Sequence, residues 1–274
     1  MASGITESLI KYLSGLLDAD GCLSFSFTQS NRDDEFVYVG LKLNLSSSEA
    51  VDKHGFVESL PKLTGMGAVY KTGDRQQFIN WQIAKRSDLE MILPRVIKHM
   101  VIKAKHWQWM LETWRYSRGQ ERGQNGVPKN MVDVLAAAAT QSRKLRVGPL
   151  RAKNYPTWAW LAGYLDGDGC YSFDVTTRAK KSDKVWRMLR VNAVAHERDA
   201  SVLEFLQNSF GGVIRSHSQS DNIRIWYRQL GPSHGSFAVN FLARLAKHSR
   251  LKRHKIDQMI HYHRQRLSVS EATA

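Results

Sequence analysis

One sequence is written twice along this chain, and the duplication constrains the fold more than any local signal. The segment Leu13-Ser14-Gly15-Leu16-Leu17-Asp18-Ala19-Asp20-Gly21-Cys22 returns as Leu161-Ala162-Gly163-Tyr164-Leu165-Asp166-Gly167-Asp168-Gly169-Cys170. The same displacement carries Leu41-Lys42-Leu43-Asn44 onto Leu189-Arg190-Val191-Asn192, and one residue more carries Ile102-Lys103 onto Leu251-Lys252. Composition does not keep such a register through loops as well as apolar positions, so the chain is a tandem repeat.

Each unit reads alike. A helix carries the repeated motif, from about Thr6 to Asp18 and from Pro156 to Asp166, Pro156 suiting a first helical turn. Two alternating strands follow, Cys22 to Ser30 with Phe36 to Ser46, and Cys170 to Arg178 with Val185 to Ala195. A helix, Glu49 to Leu60 or Arg198 to Phe210, precedes a second strand pair: Ala68 to Lys71 with Gln76 to Lys85, or Val213 to His217 with Asn222 to Gln229. Two helices close each unit, the last being Val101 to Tyr116 and Arg250 to Arg264. The fold class is therefore α/β (α+β): two tandem αββαββα repeats about a pseudo-twofold axis, each with a four-stranded antiparallel sheet. The repeats span 1–116 and 154–265. Between them lies a linker, 117–153, with an Ala-rich stretch from Val134 to Thr140 that reads as a short helix; a tail, 266–274, follows.

Charge narrows the partners. Against 25 Asp+Glu stand 40 Lys+Arg, a net +15 over 274 residues, which self-repels unless a polyanion offsets it. Nucleic acid is the expected partner, with a solvated basic surface or a ribosome-associated protein as the blander readings. There is no apolar run of membrane length and no basic N-terminus leading into an apolar core, so an intracellular, unsecreted protein is expected. Two cysteines, Cys22 and Cys170, make neither a metal cluster nor a disulfide scaffold.

In the motif, Gly15 and Ala19 stand four apart on one helical face, as do Gly163 and Gly167. Two such faces can approach until their backbones touch, which places Asp20 and Asp168, just past the helix ends, near the pseudo-dyad. Carboxylates so close repel unless a cation lies between them. Hard oxygen ligands with open positions suit Mg²⁺, and a pair of ions there suits phosphodiester hydrolysis. The alternative is a solvated or helix-capping acid, which Asp18 and Asp166 fit better than Asp20 and Asp168.

Both segments resemble the signature of the LAGLIDADG homing endonucleases, in the single-chain two-repeat branch. The resemblance implies a monomeric enzyme cutting both strands of a long, asymmetric DNA duplex across the minor groove with short 3′ overhangs, encoded in an intron. It implies two or three Mg²⁺ ions shared at the repeat interface, with Mn²⁺ able to substitute and Ca²⁺ binding without cleavage. Asp20 and Asp168 are the implied ligands, joined by the backbone carbonyls of Ala19 and Gly167. A polar residue at the end of each second strand, here Asn44 and Asn192, and a lysine at the start of each last helix, here Lys103 and Lys252, are implied around the attacking water; Lys105 and Lys255 stand close by. Gln is common in the family where Asn stands here. An organelle (chloroplast or mitochondrion) or a bacterial cytoplasm is the implied location.

The strands supply a surface. Leu23, Phe25 and Phe27 alternate with Ser24, Ser26 and Thr28, so one face is core and the other wet. The wet face continues through Tyr38, Lys42 and Asn44, and in the second repeat through Ser172, Asp174, Thr176, Arg178, Trp186, Arg190 and Asn192. Further expected members are Lys71, Arg75, Asn80 and Gln82, with Arg215, Arg224, Trp226 and Arg228. Two such sheets form a saddle over the major groove, where Arg reads guanine, Asn and Gln read adenine, and lysines hold phosphate.

The rivals are an intron RNA maturase on the same fold, with the host intron RNA as partner, and a catalytically inactive DNA-binding regulator. The second would be expected to lose an acid, and both are kept. An intein is disfavoured, because Met1 and Ala274 are not splicing residues.

Overall fold

The computed structural model describes residues 5–29, 36–74, 76–120, 127–145, 157–177, 185–217, 220–230 and 235–271. In the first repeat, α1 (Glu7–Asp20) leads into β1 (Gly21–Gln29) and β2 (Phe36–Ser48), then α2 (Phe56–Thr64), β3 (Ala68–Thr72) and β4 (Phe78–Ile83), and finally α3 (Arg86–Ile97) and α4 (Ala104–Gln120). A short strand β5 (Val127–Pro128) and α5 (Met131–Ser142) follow. The second repeat runs α6 (Trp158–Asp168), β6 (Gly169–Thr177), β7 (Val185–His196), α7 (Ser201–Phe210), β8 (Val213–His217), β9 (Ser220–Leu230), α8 (Gly235–Ala246) and α9 (Arg253–Glu271). With both closing helices counted, each repeat is αββαββαα.

The sheets are antiparallel throughout and share one strand order, β1-β2-β4-β3 and β6-β7-β9-β8. The first gains β5, which pairs with the outer end of β2 at Phe36 and Val37. That part of the chain between the repeats is thus tied to the first sheet, and α5 is tied to α4 where His106 meets the Ser142 hydroxyl at 2.9 Å.

Registration sorts the faces. Leu43, Leu45, Trp81, Ile83 and Val69 turn inward, and Leu189, Val191, Ala193 and Trp226 do so in the second sheet. The two tryptophans occupy matching places, and each indole donates to a carbonyl before the neighbouring strand, Trp81 to Met66 at 3.0 Å and Trp226 to Gly211 at 2.9 Å. Such pairing removes the penalty of burying the indole N–H.

Helices start where a side chain takes the free N–H groups of the first turn. Thr6 accepts from Leu9 to start α1, and Thr157 accepts from Trp160 to start α6. Asp52 binds the amides of Phe56 and Val57 at 2.6 and 2.8 Å, so α2 begins at Phe56 rather than at Glu49. No helix among the described residues is long and apolar enough to cross a membrane.

Candidate functional site

The centre of the molecule is the pair α1 and α6, whose contact is the most extensive between any two elements among the described residues. Glycine makes it possible. A Cβ placed on Gly15 would lie 1.9 Å from the Trp160 carbonyl oxygen, and one on Gly163 would lie 2.0 Å from that of Tyr12. Both obstacles are backbone and cannot rotate away, so the helices meet main chain to main chain. At the far end of the same contact, a Cβ on Gly167 would press on the Ala19 methyl (2.4 Å) and on the Asp20 carboxylate (2.9 Å).

Both helices run through their final acids: Asp20 and Asp168 are the last helical residues, not residues beyond the end. Asp20 is exposed at the rim and Asp168 is half-buried. The Asp20 carboxylate lies against Gly167, the residue before Asp168. Burial, and then the charge of Asp20, push the Asp168 carboxyl up to about 7, against the pull of Lys103 and Lys252. Asp20 is raised too, by loss of surrounding water, while Lys252 and Lys103 draw it back.

The two lysines are placed alike. Lys103 donates to the carbonyls of Leu17, Ala19 and Gly21 at 3.1, 2.9 and 2.8 Å. Lys252 donates to those of Leu165, Gly167 and Gly169 at 3.2, 2.9 and 2.6 Å. Each ammonium thus caps the C-terminus of a motif helix, where the helix dipole favours a cation. Burial lowers the Lys252 ammonium, with Asp166 and Asp20 opposing.

Asp18 and Asp166 are capping acids, buried rather than solvated, and they cap the starts of the last helices of the two repeats, from which Lys103 and Lys252 reach back. Asp18 is 2% exposed and accepts from the amides of Val101 and Lys103 and from the Trp160 indole, at 2.7, 2.8 and 2.9 Å. Asp166, 1% exposed, accepts from the Tyr12 hydroxyl at 2.8 Å, from Ser249, and from the amides of Arg250 and Leu251. Burial raises Asp18, and these hydrogen bonds work against the rise. Because the acids consume those amides, α4 and α9 begin at Ala104 and Arg253 instead of Val101 and Arg250. Tyr12, Trp160 and Ser249 are parts of the site that the motif alone did not reveal.

Asn44 and Asn192 lie on the wet faces, paired with Cys22 and Cys170 beside the acids. The amide of Gln82 donates to Asn44 Oδ1 at 2.8 Å, with the Tyr70 hydroxyl at 3.5 Å. Ser24, Ser26, Thr28, Tyr38, Lys42, Asn80 and Gln82 share this face by register, and Ser172, Arg190 and Arg215 share its counterpart. Arg190, Arg215, Tyr227 and Gln229 border a cleft of about 360 Å³ there, and the Arg190 guanidinium stands 5.3 Å from the centre of the Tyr227 ring.

Four expected members of the wet surface belong to the opposite face. Lys71 pairs with buried Ile79 in register and its ammonium is neutralised by Glu49 and Glu58 at 2.7 and 3.4 Å. Trp226 is fully buried; Arg224 bonds Glu197 at 2.6 Å, and Arg228 lies over the Phe237 ring. In β9 the phase of alternation is inverted: Ile225, Tyr227 and Gln229 take the wet side. Arg75 and Arg178 lie outside the described residues, as do the side chains of Asp174, Thr176 and Trp186.

Comparison with known proteins agrees with this architecture. The family model described as LAGLIDADG endonuclease matches residues 13–113 and 161–231, more than half of the chain. The chain therefore belongs to the LAGLIDADG endonuclease family. Among solved structures it is similar to the LAGLIDADG homing endonuclease I-GzeII in complex with its DNA target (TM-score 0.71, 15% identity, covering 97% of this chain and 92% of that one). It is also similar to the meganuclease I-AabMI bound to uncleaved DNA (0.68, 15%, 96% and 91%) and to I-SmaMI bound to an uncleaved DNA target in the presence of calcium ions (0.67, 20%, 86% and 84%). A search of curated proteins found no match.

Proposed function

We propose that the protein is a monomeric, divalent-metal-dependent homing endonuclease that cuts both strands of a long, asymmetric DNA target. The observation that carries the reading is the juxtaposition of Asp20 and Asp168, one from each repeat, at the ends of two helices in backbone contact. Burial, and then the charge of Asp20, raise Asp168 to about 7, which makes the pair a poor resting arrangement without a counter-charge. Two carboxylates make a hard-oxygen set that fits Mg²⁺, Mn²⁺ or Ca²⁺, and the Ala19 and Gly167 carbonyls, each already accepting from a lysine, would add to it through the second lone pair. Bound divalent ions supply activation of water and stabilisation of the leaving oxygen.

This chain's own groups then divide the work. Lys103 and Lys252 bring positive charge to within reach of a phosphodiester while fixing the helix ends. Asn44 and Asn192 stand beside the acids to orient water. The wet faces carry Ser24, Ser26, Thr28, Lys42 and Asn80 on one side and Ser172, Arg190 and Arg215 on the other, groups able to bond base edges and phosphates. Their difference between the repeats matches a target without symmetry. Short 3′ overhangs and intron encoding accompany this reading.

Asp20→Asn or Asp168→Asn is expected to abolish cutting while leaving target binding nearly intact. Undiminished cleavage with both replaced would refute the assignment of the acids. The target itself is best obtained by selecting cleavable sites from a randomised duplex library.

A further inference from the structure

The repeats match at the acids and lysines but not at the asparagines. Asn44 and Asn192 occupy the same strand position, each paired with a cysteine one residue into the preceding strand. Across from Asn44 on β4 stands Gln82, and across from Asn192 on β9 stands Tyr227. The place of Tyr70, two residues along the outer strand, is taken by Arg215. These replacements change how the asparagine is held. In the first repeat Gln82 Nε2 donates to Asn44 Oδ1 at 2.8 Å and the Tyr70 hydroxyl adds a longer contact. In the second, Tyr227 offers its ring face to Arg190, and Asn192 Oδ1 is buried without a hydrogen-bond partner.

An amide is a directional tool, since its two ends carry opposite polarity. With Oδ1 engaged, the orientation of Asn44 is set, and Nδ2 is the end left to meet a ligand. Asn192 has no such restraint, and a buried acceptor without a donor gives it reason to turn. Groups already fixed in their working orientation lose less on reaching the transition state than groups that must first be ordered.

We propose that Gln82 is a positioning residue that locks Asn44, and that the half of the site built on Asn44 consequently cuts its strand faster than the half built on Asn192. The proposal rests on the nuclease reading and goes beyond it by making the two cuts unequal.

The test uses the full chain and a selected target with its strands labelled in different colours. Asn44→Ala and Asn192→Ala assign a strand to each half. The nicked intermediate of the wild type is then expected mainly in the Asn44 strand. Gln82→Met, similar in length but without the donor, is expected to slow that strand about five- to tenfold, the size of one neutral hydrogen bond, and to spare the other. Tyr227→Gln, which offers Asn192 a partner, is expected to narrow the difference from the opposite side. Equal slowing of both strands by Gln82→Met, or of neither, overturns the proposal.

A second readout needs neither metal nor DNA. The side-chain amide resonances of Asn44, identified by their loss in Asn44→Ala, are expected to move in Gln82→Met while those of Asn192 stay; unmoved Asn44 signals overturn the lock. Wild-type protein that cleaves no member of the randomised duplex library refutes the nuclease reading and with it the rate difference, and the amide spectrum then still decides the lock.

Discussion

The helix pair at the centre and the two sheets beside it obey different rules. Between α1 and α6 the repeats are near copies: glycine against carbonyl and lysine over three carbonyls are each present twice, and each repeat supplies one acid. On the sheets the copies diverge, Lys42 against Arg190, Tyr70 against Arg215, Gln82 against Tyr227. Machinery that both cuts would need in equal measure has stayed alike, whereas surface that would meet two unlike half-targets has not.

The sharpest way to break this contrast is at the glycines. Gly15→Ala and Gly163→Ala each force a methyl to about 2 Å from an opposing carbonyl oxygen, so each is expected to destabilise the protein by roughly 4 kcal/mol or more. Chemical denaturation should show losses of similar size for the two. A large effect in one repeat alone would mean that the helices are not packed symmetrically.

Next come the buried acids. Asp18→Asn turns an amide donor toward groups that are themselves donors, and Asp166→Asn does likewise. A cost of about 2–4 kcal/mol is expected for each. Tyr12→Phe, which removes only the donor from across the interface, should cost about 1–3 kcal/mol; Trp160→Phe removes the indole N–H together with part of a buried ring and should cost more, and both are measured by thermal unfolding.

The proton on Asp168 gives a pH-dependent test. Its folded pKa of about 7 exceeds the ordinary 3.8, so between those values the folded chain keeps a proton that the unfolded chain has released. Metal-free protein should therefore lose stability as pH rises through this window, with the loss complete above 7. A divalent ion competes with that proton, so the rise in Tm on adding Ca²⁺ should be small near pH 6 and larger near pH 8. Asp168→Asn should flatten both trends, and an unchanged response would remove Asp168 from the ion's ligands. The smallest effect is expected on the helix side of the second sheet: Arg190→Met should weaken DNA binding and reduce its salt dependence, while Arg224→Met should leave both near wild type.

The repeat, the glycine face and the succession of helices and strands were readable from the residues because period and small side chains leave direct marks in sequence. Among the features that were not, two are instructive. The first is the start of α4 and α9, placed three residues early because Asp18 and Asp166 lie far along the chain from the amides that they bind. The second is β9, where Arg224 and Arg228 alternate with Ile225 and Tyr227, a pattern whose period is two but whose phase is ambiguous. Arginine on the helix side is affordable when Glu197 or the Phe237 ring receives it. Trp81 marks the inner face cleanly in Phe78-Ile79-Asn80-Trp81-Gln82-Ile83, and matching Trp226 to it would have set the phase.

The crossed bonds from Trp160 to Asp18 and from Tyr12 to Asp166 make each repeat complete the other. Since these two aromatics stand at equivalent places in the motif, a half of this molecule carries both a socket and a plug of the same pattern. Halves taken from different members of such a family should then be interchangeable parts wherever the aromatic keeps an N–H or O–H to offer, and mismatched where it does not.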